Sequence, residues 1–126
     1  MTSDARTRDA TTSDARTRDA TTSDPTTLEL LERAIAFDTT TTLSNADMAD
    51  WCRALLERHG ARVRQDWSAD GSKVNLFATF GEGPGGVCLS GHMDVVSVAG
   101  QDWSSDPFVA TVREGRVFGR GTCDMK

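Results

Sequence analysis

No apolar run in this chain approaches the roughly 20 residues that cross a bilayer, so a membrane partner is not expected. Nor is there an apolar leader at the amino end. The aspartates spaced through that end, at positions 4, 9, 14, 19 and 24, exclude an acid-poor transit peptide. Cysteine is scarce and dispersed: Cys52, Cys88 and Cys123 form no C-x-x-C pair. An odd number of distant thiols without a leader points to a reducing compartment, and a cytoplasmic location is the expectation. Basic surplus is missing too. With 14 Lys and Arg against 19 Asp and Glu, the net charge is −5, and nothing resembles a nucleic-acid footprint.

At 126 residues and 37% hydrophobic content the chain suits one modest domain, not two. Part of it contributes nothing to a core. Residues 2–11 recur unchanged at 12–21, and Thr22-Ser23-Asp24 begins a third copy before Pro25. The only apolar residues there are Met1 and four alanines, too little surface to offset the entropy of ordering. We therefore expect residues 1–25 to be a disordered tail with a tandem ten-residue repeat, and residues 26–126 to form the folded part. The period is far below that of solenoid arrays, so a duplication is the simpler origin.

Thr26-Thr27-Leu28-Glu29 has capping-box spacing, and Leu28, Leu31 and Ile35 then recur at helical intervals up to Phe37. The threonines at 39–42 break that helix. Ser44-Asn45-Ala46-Asp47 offers a second cap before Met48, Cys52, Leu55 and His59, with Gly60 as the stop. Ala61, Val63, Gln65 and Trp67 alternate with Arg62, Arg64 and Asp66, which predicts a strand with one wet face. Asp70-Gly71 marks a turn into a partner strand whose Val74, Leu76, Ala78 and Phe80 point one way. A Gly-rich loop at 81–86 leads to a short buried strand at 87–90, and Glu114-Gly115 sits between segments 108–112 and 116–118 as a hairpin turn. Helices followed by a mixed set of strands predict an α/β sheet. Ligands of open α/β sheets bind at the carboxyl ends of strands, where His92 would fall.

Two loops then carry the chemistry. Gly91-His92-Met93-Asp94-Val95-Val96 is one, and Gly119-Arg120-Gly121-Thr122-Cys123-Asp124-Met125-Lys126 is the other. An imidazole on a loop leaving a strand suits a metal ligand, and a carboxylate two residues on can fix its tautomer. Asp124 can bind one metal or bridge two. A lone His-x-Asp is as readily a structural histidine beside an acid, and a catalytic zinc usually needs three protein ligands. Gly119, Arg120 and Gly121 lack the lysine and spacing of a phosphate loop and read as a tight turn delivering Asp124, with Arg120 as a structural ion-pair partner. Cys52 and Cys88 read as core, and Cys123 as a small residue that fits its turn. Trp51 and Trp67 read as packing, and His59 as a partner for a helix carboxyl end. Trp103 has two readings, lining the cleft or pinning its own loop.

Taken together with Gly100-Gln101-Asp102-Trp103 and Asp106-Pro107-Phe108 between them, these motifs resemble the aminoacylase and acetylornithine deacetylase family of dizinc amidohydrolases, over roughly residues 26–126. Ser97 departs from the proline common there. The resemblance implies the amino-terminal part of a dizinc aminopeptidase-like catalytic domain, a mixed sheet with flanking helices, incomplete in this chain. It implies that His92 is a metal ligand, that Asp124 bridges two Zn2+ ions (Co2+ being a possible substitute), and that Asp94 is a catalytic residue orienting His92. It also implies a glutamate pair after Asp-Met-Lys, general base and ligand, which lies outside these 126 residues. The implied reaction hydrolyses the amide of an N-acyl amino acid, N2-acetylornithine foremost, to ornithine and acetate, as in arginine biosynthesis. The intact protein would be a possible homodimer with a small-molecule substrate. Close relatives take succinyl-diaminopimelate or cleave carboxyl-terminal residues. The competing expectation is a truncated, catalytically dead remnant with at most weak metal binding and a sheet left open to aggregation. A generic α/β binding module carries little weight, since it needs two motif coincidences.

Overall fold

The computed structural model describes residues 26–126; the repeat-containing tail expected to be disordered lies outside the described residues. Helix α1 spans Thr27–Ile35. Its start is the expected capping box: Glu29 N–H donates to the Thr26 hydroxyl oxygen, and Thr26 N–H donates to the Glu29 carboxylate at 2.6 Å. Each bond satisfies an amide that the first turn cannot. The helix ends two residues before Phe37, whose ring packs against Trp51 of the next helix with centroids 5.7 Å apart.

Helix α2 spans Ala46–Arg58. Asn45 stands at its amino end yet makes no side-chain cap. Its carboxamide reaches across the fold instead, donating to Val74 O and accepting from Val74 N–H, both at 2.9 Å and buried. The carboxyl end is a Schellman motif: Gly60 N–H donates to Glu57 O and Ala61 N–H to Leu56 O. Gly60, with φ of 89°, supplies the left-handed residue that this closure requires.

The exit leads straight into β1, Arg62–Trp67, which pairs antiparallel with β2, Val74–Thr79. Val63 lies opposite Ala78, Gln65 opposite Leu76 and Trp67 opposite Val74, so the alternation sets the register. Asp70 closes the connection by accepting from Ser68 Oγ, Ser72 N–H and Ser72 Oγ. Strands β3, Thr111–Arg113, and β4, Arg116–Phe118, form the second hairpin. Glu114 and Gly115 turn it with φ of 51° and 71°, the double positive φ that matches strand twist.

Two expectations need correction. Among the described residues the strands do not form one mixed sheet: β1–β2 and β3–β4 are separate antiparallel pairs, and the parallel bridge between Thr40 and Val95 lies outside both. Residues 87–90 are also not a buried strand. They carry no strand assignment, Val87 and Leu89 are 90% and 93% exposed, and Cys88, read as core, is exposed. A buried strand needs at least one neighbouring strand for its amides and cover on its faces, and no described residue supplies either.

The buried apolar set is accordingly small: Ala34, Ile35, Met48, Ala49, Ala61, Val74 and Val95. Trp67, read as packing, is 48% exposed. Helices with short sheets around so few buried residues fit an incomplete α/β domain. No helix among the described residues is long and apolar enough to cross a membrane.

Candidate metal centre

The loop holding His92 is gripped by the turn that follows α1. Val95 N–H donates to Thr39 O and Thr41 N–H to Val95 O, both at 3.1 Å, while the Thr39 hydroxyl donates to Met93 O at 2.5 Å. Thr39 is 2% exposed, so this hydroxyl bond is sheltered from water. Its neighbour Thr40 is folded in with it, its hydroxyl and N–H both donating to the Asp38 carboxylate. The threonine run, expected to break the first helix, therefore also grips the His92 loop. A run of β-branched residues also favours extended backbone, and that was the available signal for a bridging segment.

The second loop is a tight turn, as its glycines predict. Thr122 N–H and Thr122 Oγ1 donate to Gly119 O, Asp124 N–H to Gly121 O, and Lys126 N–H to Gly121 O. A Cβ on Gly119 would stand 3.0 Å from Ile35, and one on Gly121 would stand 2.8 Å from the Lys126 stem. Both positions therefore need glycine for close approach. Gly91 likewise leaves room for Met125, whose methyl carbon would lie 2.9 Å from an added Cβ.

These two turns bring His92 and Asp124, 32 positions apart in sequence, into contact: Nε2 lies 2.9 Å from Asp124 Oδ1. Nδ1 lies 3.0 Å from the backbone oxygen of Asp94 and 3.3 Å from its carboxylate. A carbonyl oxygen only accepts, so Nδ1 carries a proton, and Nε2 is the nitrogen turned to the opposite loop. Asp94 thus meets the ring through its main chain at least as closely as through its side chain, where the sequence pointed to the carboxylate alone. The Asp124 hydrogen bond, followed by the one to the Asp94 backbone, raises the His92 pKa above the usual imidazole value. His92 is half-exposed and Asp124 largely exposed, so both meet water and this is a local preference for the imidazolium.

The donor set fits a divalent cation in chemistry. One imidazole nitrogen and one carboxylate oxygen face each other, with the far ring nitrogen held as a donor to oxygen, which is the usual support of a metal-bound histidine. A metal would replace the proton now shared between Nε2 and Oδ1. It does not make a full set: among the described residues no group of three or more His, Cys, Asp and Glu is placed to hold a metal.

Around the centre, the loop between the two motifs is pinned by Gln101. Its Oε1 accepts from Trp103 Nε1 at 3.2 Å and from Arg120 Nη2, and its Nε2 donates to Ser97 O at 2.9 Å. Of the two readings of Trp103, the hydrogen bond matches the one in which it pins its own loop. Arg120 lies 5.1 Å from the Trp103 ring centroid; its partners are this ring and an amide, not the carboxylate its expected ion pair required. Cys123 is exposed beside Asp124, and Cys52 is half-buried, its thiol pushed up by burial. An open apolar groove of about 510 Å3 runs from Leu30, Leu31 and Leu55 to His92 and Met125, along the uncovered faces of α1 and α2.

Comparison with known proteins matches this region. Residues 88–126 match the Peptidase family M20/M25/M40. The chain is 39% identical over 92 residues to an acetylornithine deacetylase of Proteus mirabilis (strain HI4320), covering 72% of this chain and 24% of that protein. It is 40% identical over 88 residues to an acetylornithine deacetylase of Shigella sonnei (strain Ss046), covering 66% and 22%. A third, from Photorhabdus laumondii subsp. laumondii, is 37% identical over 92 residues. The chain spans about a quarter of the length of these curated relatives. Over the part that holds His92, Asp94 and Asp124, this chain resembles the acetylornithine deacetylases of the peptidase family M20/M25/M40.

Proposed function

We propose that residues 26–126 are the amino-terminal portion of the catalytic domain of a metal-dependent amidohydrolase acting on an N-acyl amino acid, with N2-acetylornithine as the substrate best supported. The observation that carries this reading is the 2.9 Å approach of His92 Nε2 to Asp124 Oδ1, made by the two motifs that resemble the metal loops of the family. The relatives' names support the deacetylase over a desuccinylase or carboxypeptidase.

In this reading His92 and Asp124 are the residues that would hold Zn2+, or Co2+ in its place. Asp94 keeps the ring in the tautomer that leaves Nε2 free, acting as a positioning group. The metal, when bound, supplies Lewis acidity toward the acyl carbonyl and acidifies water. Transfer of the proton to the leaving amine belongs to a glutamate that these 126 residues do not contain, so the chain alone is proposed to bind metal weakly and not to turn over. A cytoplasmic site of action and a role in arginine biosynthesis follow from the same proposal.

Calorimetric titration of Zn2+ into the 126-residue chain, with ornithine release from N2-acetylornithine measured in parallel, tests it. Weak uptake that Asp124→Ala and His92→Ala each abolish, without ornithine release, is the expected result. Uptake unchanged by either substitution sinks the ligand assignment, and release by the unmodified chain sinks the claim that the base lies elsewhere.

A further inference from the structure

We propose that the turn at 37–41 is the common platform that sets the two metal loops against each other, with Thr39 and Lys126 as positioning residues. This inference rests on the reading of His92 and Asp124 as the metal-holding pair.

The geometry is one-sided in a way that neither loop explains alone. The His92 loop meets the turn three times: through the Thr39 hydroxyl on Met93 O, through Val95 N–H on Thr39 O, and through Thr41 N–H on Val95 O. The Asp124 loop meets the same turn two residues earlier, where Lys126 Nζ donates to Phe37 O. The Lys126 stem fills the space left by Gly121, which carries φ of 92°, so the ammonium, the stem and the turn backbone are packed together. Gly119 rests on the fully buried Ile35, the last residue of α1, immediately before the turn. Each loop is thus referenced to the same few residues of backbone, within four positions of one another.

The chemistry of the two anchors suits this role. Thr39 is buried, and its hydroxyl bonds a carbonyl one residue from His92, so removing the oxygen frees Met93 O in a sheltered place. Lys126 has three donors on a flexible stem and here spends one on the carbonyl of Phe37, in the turn that follows α1. The turn after α1 is thus held by the residue two positions after the metal-holding aspartate.

The test compares the unmodified 126-residue chain with Thr39→Val, Thr39→Ser, Lys126→Met and Asp124→Ala. The readouts are the imidazole nitrogen resonances of His92 without metal, and Zn2+ uptake by calorimetry. Far-UV circular dichroism checks folding. Thr39→Val and Lys126→Met should each move the Nε2 resonance toward its position in Asp124→Ala and weaken Zn2+ uptake about 10-fold or more, the usual size of an outer-shell loss. Thr39→Ser, which keeps the hydroxyl, should restore both. Unmodified Nε2 resonances in Thr39→Val and Lys126→Met overturn the platform. If Thr39→Val does not fold, Lys126→Met alone decides, since its stem is retained. Should the resonances move as expected while the unmodified chain takes up no Zn2+, the platform stands and the metal reading falls.

Discussion

Asn45 and Asp70 each hold a backbone in place with one short side chain, and their surroundings make the consequences opposite in kind. Asn45 is buried and serves both the N–H and the C=O of Val74. Replacing it with alanine leaves two sheltered backbone groups unpaired, which costs about 2 to 4 kcal/mol. Asn45→Asp, which keeps one acceptor, should fall between in urea unfolding. Asp70 is exposed and its pKa is lowered to about 2, first by the Ser68 hydroxyl and then by Ser72. Because the folded value lies below the unfolded one, its contribution is complete above about pH 4 and is lost as pH falls toward about 2. The difference in urea midpoint between the unmodified chain and Asp70→Asn should therefore shrink through that window. A difference that is constant between pH 5 and 2 would show that the turn does not depend on the ionised carboxylate.

At the scale of elements, the ends were more legible than the partners. The capping box of α1 and the glycine stop of α2 are local chemistry, written within four residues of the helix they terminate. Gly60 tests this directly. An added Cβ would meet nothing within 4 Å, so Gly60→Ala is opposed only by its positive φ, at about 1 kcal/mol. A urea midpoint unchanged in that variant would remove the left-handed closure from the account. The alternation over β1 and β2 likewise fixed a register, because a slip of one residue would turn Val63, Leu76 and Val74 outward. Residues 87–90 had the composition of a strand and did not become one. Composition states what a segment can bury, and pairing depends on what stands beside it.

For the whole molecule, the consequence is surface that would ordinarily be interior. Val87 and Leu89 are almost fully exposed, Phe77 and Phe80 are more than half exposed, and α1 and α2 leave an apolar groove open beside His92. Exposed apolar side chains with unpaired backbone favour association between chains. Leu89→Lys should leave the unfolding free energy within about 0.5 kcal/mol, since nothing packs on that side chain, and should reduce self-association in sedimentation velocity. A fall in stability well beyond that value would mean that residues 87–90 are covered in solution.

The sequence by itself determined the helices, both hairpins, the glycine turns and the identity of His92, Asp94 and Asp124 as the residues to follow, because capping, alternation and turn chemistry act over a few neighbouring positions. Tertiary structure alone decided that the threonines at 39–41 grip the His92 loop, that Asn45 leaves its helix to serve Val74, and that Lys126 reaches Phe37. It also decided that Arg120 rests on Trp103 and Gln101 rather than on an acid. Those contacts join residues far apart in the chain, where a hydroxyl or an ammonium goes to whichever carbonyl the packing has left without a partner, and no local pattern records which one that is.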